Sequence, residues 1–74
     1  MPIFKLTAPG VGLVLHVRAR CLTCARNLAV DAAGPEGPRV WRYTAQSTIE
    51  LVRDPIGLDP EGRSAVLRRE KIHE

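Results

Sequence analysis

Cys21-Leu22-Thr23-Cys24 holds the residues whose type and spacing most directly admit chemistry. The pair falls between an alternating, strand-like segment and a stretch with helical spacing. A helix N-terminus stabilises a thiolate through its free N–H groups and its positive dipole end, so this placement admits thiol–disulfide exchange. Three observations weigh the other way. No Thr-Val-Pro-like segment precedes a later strand, so the proline that flanks such redox pairs is missing. Only one helix is expected, where small redox proteins use several. Cys21 and Cys24 also share a helical face with Ala25, Leu28 and Ala32. Free cysteine is among the most buried residue types, which favours two small core residues. Two cysteines are too few for a disulfide scaffold. Tetrahedral zinc needs four ligands, and His16 and His73 are not at finger spacing to complete a set. No metal and no cofactor is expected.

A second constellation is Arg39-Val40-Trp41-Arg42-Tyr43. Read as a strand with Val40 turned towards a helix, it puts Arg39, Trp41 and Tyr43 on an uncovered sheet face. His16 and Arg18 of an earlier strand would lie on that face too. Such a surface stacks bases and holds phosphates, or anchors a protein partner, since Trp, Tyr and Arg dominate binding hot spots. The competing reading makes Trp41 a core residue, because a chain with one Trp usually buries most of it. Arg68-Arg69-Glu70-Lys71 is a short basic run, usually a solvated strand end. It matters only if Arg68 shares a face with Arg18 and Arg42. The candidate partner-binding residues are therefore Arg18, Arg39, Trp41, Arg42, Tyr43 and Arg68.

No catalytic set emerges. Ser47 and Ser64 lie in no nucleophile-elbow pattern. Glu36, Glu50, Asp54, Asp59 and Glu61 are scattered, without a neighbouring His. Gly34-Pro35-Glu36-Gly37-Pro38 lacks the Gly-Lys-Ser/Thr ending of a phosphate loop. The chain is not expected to be an enzyme.

The elements that must position these residues follow from periodicity and breakers. Residues 3–7 read as a short strand and 11–19 as a second one. In the latter, Leu13, Leu15, Val17 and Ala19 alternate with Val14, His16 and Arg18. Ala8-Pro9-Gly10 is the turn between them. A helix is expected over residues 22–33, stopped by Gly34-Pro35. Three extended segments follow, at 39–43, 48–52 and 64–69, with a loop over 53–63 and a frayed tail at 71–74. The order is β-β-α-β-β-β. One helix covers one face of such a sheet, so the class is α+β: a mainly antiparallel sheet of four to five strands with one helix packed on one face.

Length and composition bound the rest. Seventy-four residues make one small domain, spanning 1–74. Hydrophobic residues reach 45%, but eight of them are Ala, so the core is thin. The net charge is +3, and nine of the eleven basic residues are Arg. Arg desolvates more readily than Lys and forks onto carboxylates and phosphates, which suits an acidic protein surface or a nucleic acid. No apolar run approaches the roughly 18 residues of a membrane helix, and no signal-peptide pattern opens the chain. A cytoplasmic protein without a membrane role is expected. A bare sheet face would also be buried by pairing with a second copy, which makes a homodimer an open option.

One resemblance is carried by Val17-Arg18-Ala19, Ala25-Arg26-Asn27-Leu28-Ala29, the run from Ala33-Gly34-Pro35-Glu36-Gly37-Pro38 to Arg39-Val40-Trp41, Ser47-Thr48, Pro60-Glu61-Gly62 and Val66-Leu67-Arg68. Together they span roughly two-thirds of the 74 residues. The pattern resembles a set of short, mostly uncharacterised proteins of phages and prophages from high-GC bacteria. In those proteins the helix opens with Glu-rich residues, and Cys21 and Cys24 depart from that. The resemblance implies a phage accessory protein that binds a host protein or ribonucleoprotein and blocks it. Anti-CRISPR proteins are similar in size and architecture. The alternatives are a nucleic-acid binder using the Arg/Trp/Tyr face and, more distantly, a thiol–disulfide protein using Cys21 and Cys24.

Overall fold

Apolar alternation in the first twenty positions produces a hairpin. In the computed structural model, which describes residues 1–54 and 57–72, β1 (Ile3–Ala8) pairs antiparallel with β2 (Leu13–Arg18). The register sets Phe4 opposite Val17, Leu6 opposite Leu15 and Ala8 opposite Leu13. These six residues are buried and make one face apolar. The turn closes with Val11 N–H donating to the Ala8 carbonyl and Gly12 N–H to that of Pro9. Gly12 sits at φ 66°, where a Cβ would be strained.

Two more strands flank the hairpin. β3 (Thr48–Val52) joins the β1 edge and β4 (Ala65–Lys71) joins the β2 edge, both antiparallel, giving the order β3-β1-β2-β4. The β2–β4 ladder slips at His16/Val17, pairing His16 with Arg68 and Val17 with Val66. Leu67 is the extra residue of this bulge. The tail expected to fray is partly held: Lys71 belongs to β4, and Ile72 N–H donates to the Gly12 carbonyl at 2.8 Å. Residues 73–74 lie outside the described residues.

The expected helix forms as α1 (Leu22–Asp31), with Ala32 as its C-cap rather than Gly34. Ala25 and Ala29 are fully buried, which lets the helix lie close across β1, β2 and β4. The class is α+β, with a four-stranded antiparallel sheet and the helix against one face.

The segment expected as a strand at 39–43 is instead a helical turn, α2 (Arg39–Arg42). Pro38 adopts φ −70° and ψ −25°, already helical, and its carbonyl accepts from the N–H groups of Trp41 and Arg42. A proline ring fixes φ near that value, so it seeds a turn at no conformational cost. The burial pattern agrees. Val40 and Trp41 are adjacent and both buried, which strand alternation forbids and a helix allows. Trp41 is the largest fully buried side chain, so the core reading of this residue holds.

The sheet face opposite α1 is not bare. Arg18, pointing away from the core, donates to the carbonyls of Asp59 and Arg63 at 2.8 and 2.6 Å. The Met1 amine donates to the Pro60 carbonyl at 3.0 Å. The 57–63 part of the long loop is thereby tied across that flank, and Ile3 beneath is 1% exposed. Among the described residues, no helix is long and apolar enough to cross a membrane.

Candidate functional site

The six residues singled out from sequence fall in three separate places. Arg18 is engaged with the 57–63 segment. Arg68 lies on the same flank, in a cross-strand row with His16, Lys5 and Glu50, and pairs with Glu70 at 3.3 Å. Trp41 is inside the core and stacks on no surface ligand. Arg39, Arg42 and Tyr43 are exposed, but on α2 and its cap, on the helix side of the sheet. Arg68 therefore does not share a face with Arg42, and no continuous Arg/Trp/Tyr sheet surface exists.

What sequence reasoning missed is a chain of polar contacts around Trp41. Its indole N–H donates to Glu36 Oε2 at 2.7 Å. Glu36 also accepts from Gly34 N–H at 3.2 Å and from Arg69 of β4, at 3.0 Å to Oε2 and by a second, shorter contact to Oε1. The Arg69 guanidinium, helped by the Trp41 and Gly34 N–H groups, holds the Glu36 carboxyl at a pKa of about 2 against the opposing effect of burial. On the far side, Arg26 of α1 donates to the Trp41 carbonyl at 2.8 Å, to Ser47 Oγ at 2.8 Å and to the Ser47 carbonyl at 3.0 Å. These contacts leave Arg26 half-buried. The one available signal was Trp itself: a buried indole needs an acceptor, and Glu36 is five residues upstream in a tight Gly-Pro loop.

Two grooves result. The larger, about 640 Å³, runs along β4 past Val11, Leu13 and Pro35, but its charged residues include Glu36 and Arg69, already paired with each other. The second, about 350 Å³, lies between α1, α2 and β3. Leu22, Val30 and Ile49 give it an apolar floor, and Arg26, Arg42 and Asn27 are polar. Among the described residues, two arginines and no carboxylate line it. α1 and α2 pack on the other strands, which leaves the inner face of β3 poorly covered. Leu51, on that face opposite Phe4, is 51% exposed, and Leu22 is 52% exposed. β3 is also a sheet edge, so half of its backbone N–H and C=O groups lack a ladder partner.

Cys21 and Cys24 depart from the expected pair of core residues. Cys21 is exposed, and Cys24 is half-buried against the core. Cys21 is the N-cap of α1, with its sulfur accepting from Cys24 N–H at 3.1 Å. The contact with the Cys24 thiol, and then the backbone N–H groups of Cys24 and Thr23, push the Cys21 thiol below its ordinary value. The same contact and burial push Cys24 up. Among the described residues, no three His, Cys, Asp or Glu side chains converge as a metal centre requires. His73 lies outside the described residues.

No protein-family model, curated protein or solved structure matches this chain. The functional reading rests on the α1/α2/β3 groove and its surroundings.

Proposed function

We propose that this chain is an interaction protein that docks onto a larger, acidic protein partner through the α1/α2/β3 groove and the free edge of β3. The observation that carries the reading is the coincidence of three features at one place. Among the described residues, Leu22 and Leu51 are each half exposed, the strand edge between groove and solvent is unpaired, and Arg42, beside the engaged Arg26, lines the groove without a carboxylate. An extended segment with apolar and acidic side chains together on its inward face fits all three. Its backbone would extend the sheet, and on that one face its apolar side chains would cover Leu51 and Ile49 while its carboxylates meet Arg42 and Arg39. In the phage setting that the sequence resemblance implies, the partner is a host protein or ribonucleoprotein, blocked by occupation of its surface. The net charge of +3 favours encounter with such a partner.

The test uses synthetic ten-residue peptides whose every second position is taken in turn by Leu or Val and by Glu or Asp, with Thr between, titrated into the full chain by NMR. Amide shifts are expected along β3 and around Leu22, Val30 and Arg42. Leu51→Arg and Arg42→Glu should each weaken binding about tenfold or more, some 1.4 kcal/mol. A host protein recovered after nuclease treatment should compete with the peptides and be lost with the same two variants. Three results overturn the reading: shifts confined to the β4 groove, concentration-dependent self-pairing through β3, or preferential binding of generic DNA or RNA that collapses with added salt.

A further inference from the structure

The sulfur pair sits beside the docking groove but takes no part in it, and its geometry asks for a separate account. We propose that Cys21 and Cys24 form a thiol–disulfide exchange site acting on accessible organic disulfides, with Cys21 as attacking sulfur and Cys24 as resolving sulfur. Cys21 is the solvent-facing member, as an attacking thiolate must be. Its backbone is extended, at φ −153° and ψ 168°, which turns the sulfur over the first turn of a ten-residue helix. There it accepts the Cys24 N–H, and no acidic residue in that turn opposes a negative charge. Cys24 stands one helical turn on, with its thiol in contact with that of Cys21, and packs partly against the core. It is less exposed than Cys21, and the two thiols are close enough for each to bias the other's ionisation. The opposite directions of that bias match the two roles. The sulfur pushed down is the exposed one, and the sulfur pushed up is half-buried.

The chemistry balances without a further reagent. The Cys21 thiolate attacks one sulfur of a disulfide RS–SR′, forming Cys21 S–SR and releasing R′S⁻. Cys24 then gives up its proton and attacks Cys21 Sγ, forming the Cys21–Cys24 disulfide and releasing RS⁻. The two leaving thiolates take up the two protons that Cys21 and Cys24 lost. The protein dithiol is oxidised by two electrons and the substrate disulfide is reduced by two.

Glutathione disulfide is the probe, mixed with the reduced full chain at pH 7 and followed by acid quench and mass spectrometry. The expected course is a transient mixed disulfide, then a chain lighter by two hydrogens with two glutathiones released. Cys24→Ser should stall as the mixed disulfide on Cys21, and Cys21→Ser should react several-fold more slowly. A measurement on the unaltered chain guards against misfolded variants. Iodoacetamide should modify Cys21 several-fold faster in the native chain than in the same chain unfolded in guanidinium. Equal rates in the two states overturn the proposal. So does a native chain that accumulates two glutathiones without forming the internal bond. Leu51→Arg, which tests the docking groove, should leave the exchange rate unchanged, so the two readings fail independently.

Discussion

Replacing Glu36 by Gln tests the polar chain around Trp41 most directly, because its effect must depend on pH in a defined sense. The carboxyl titrates at about 2 in the folded chain against an ordinary value of 4.5, with the Arg69 contact the largest cause. A depressed folded value means that the stabilisation is fully present above pH 4.5 and is lost as pH falls through about 2. The difference of about 2.5 units corresponds to about 3.4 kcal/mol at 1.36 kcal/mol per unit. Glu36's side chain is only 3% exposed, but Arg69's is 37% exposed, so solvent screening trims this to about 2–3 kcal/mol. Glutamine keeps an oxygen to accept the Trp41 indole N–H but loses the charge and one of the two oxygens that face Arg69, so the variant removes the ion pair and spares the indole contact.

The assay is thermal or urea unfolding of both chains between pH 7 and pH 2. At pH 7, Glu36→Gln should lower Tm by about 10–20 °C, taking 4–8 °C per kcal/mol for a domain of this size. The gap should close steadily below pH 4.5 and be nearly gone near pH 2. A gap of the same size at both ends of the range refutes the electrostatic argument. It would mean that Gln disturbs packing rather than charge. A gap under about 0.5 kcal/mol at pH 7 would refute the contact itself, being no more than an ordinary surface substitution.

Arg26→Met should cost about 2–4 kcal/mol, since three charge-assisted bonds vanish and the Ser47 and Trp41 carbonyls lose partners in a part-buried site. Urea unfolding measures it, and Arg26→Lys should recover only a minor part. Arg18→Ala should cost little in global stability and instead free the segment it clasps. Trypsin should then cut after Arg63 at least several-fold faster than in the unaltered chain, with β1 and β2 still protected from hydrogen exchange.

The hairpin, the helix and the α+β class were legible because each rests on local periodicity. Leu13, Leu15 and Val17 alternate, Ala25 and Ala29 fall four apart, and Pro9-Gly10 breaks the chain between strands. The 39–43 segment misled because its β-favouring Val, Trp and Tyr span only five positions, too few to separate a strand from one helical turn. Pro38 decides the matter by fixing φ, and the adjacent Val40 and Trp41 then share the buried side of a turn. The candidate site was less legible for a related reason. Arg18, Arg42 and Arg68 look alike in sequence, and only tertiary placement sends one to a loop, one to the groove and one to a carboxylate on its own strand. Cys21 escaped because a helical face assigned from spacing extends to the N-cap, where the chain no longer follows the helix. Its extended backbone swings the sulfur outwards.

The thin core explains why the polar chain and the uncovered strand occur together. Ala25 and Ala29 let α1 approach the sheet closely, but each removes little apolar surface from water. Bulk must come from elsewhere, and Trp41 supplies it from a short helical turn rather than from a strand. A buried indole needs an acceptor, so Glu36 turns inwards. A buried carboxylate needs a cation, so Arg69 reaches over from β4. The Trp41 carbonyl and Ser47 then take the guanidinium of Arg26. This sequence of obligations locks α1, α2 and β4 together and reaches β3 only through Ser47, just ahead of the strand. The inner face of β3 thus keeps Leu51 half uncovered beside α1 and α2, which these contacts tie together. A segment laid along β3 would meet a groove whose backbone is already in place, so on this chain's side its binding would cost mainly the ordering of exposed side chains such as Arg42 and Leu51.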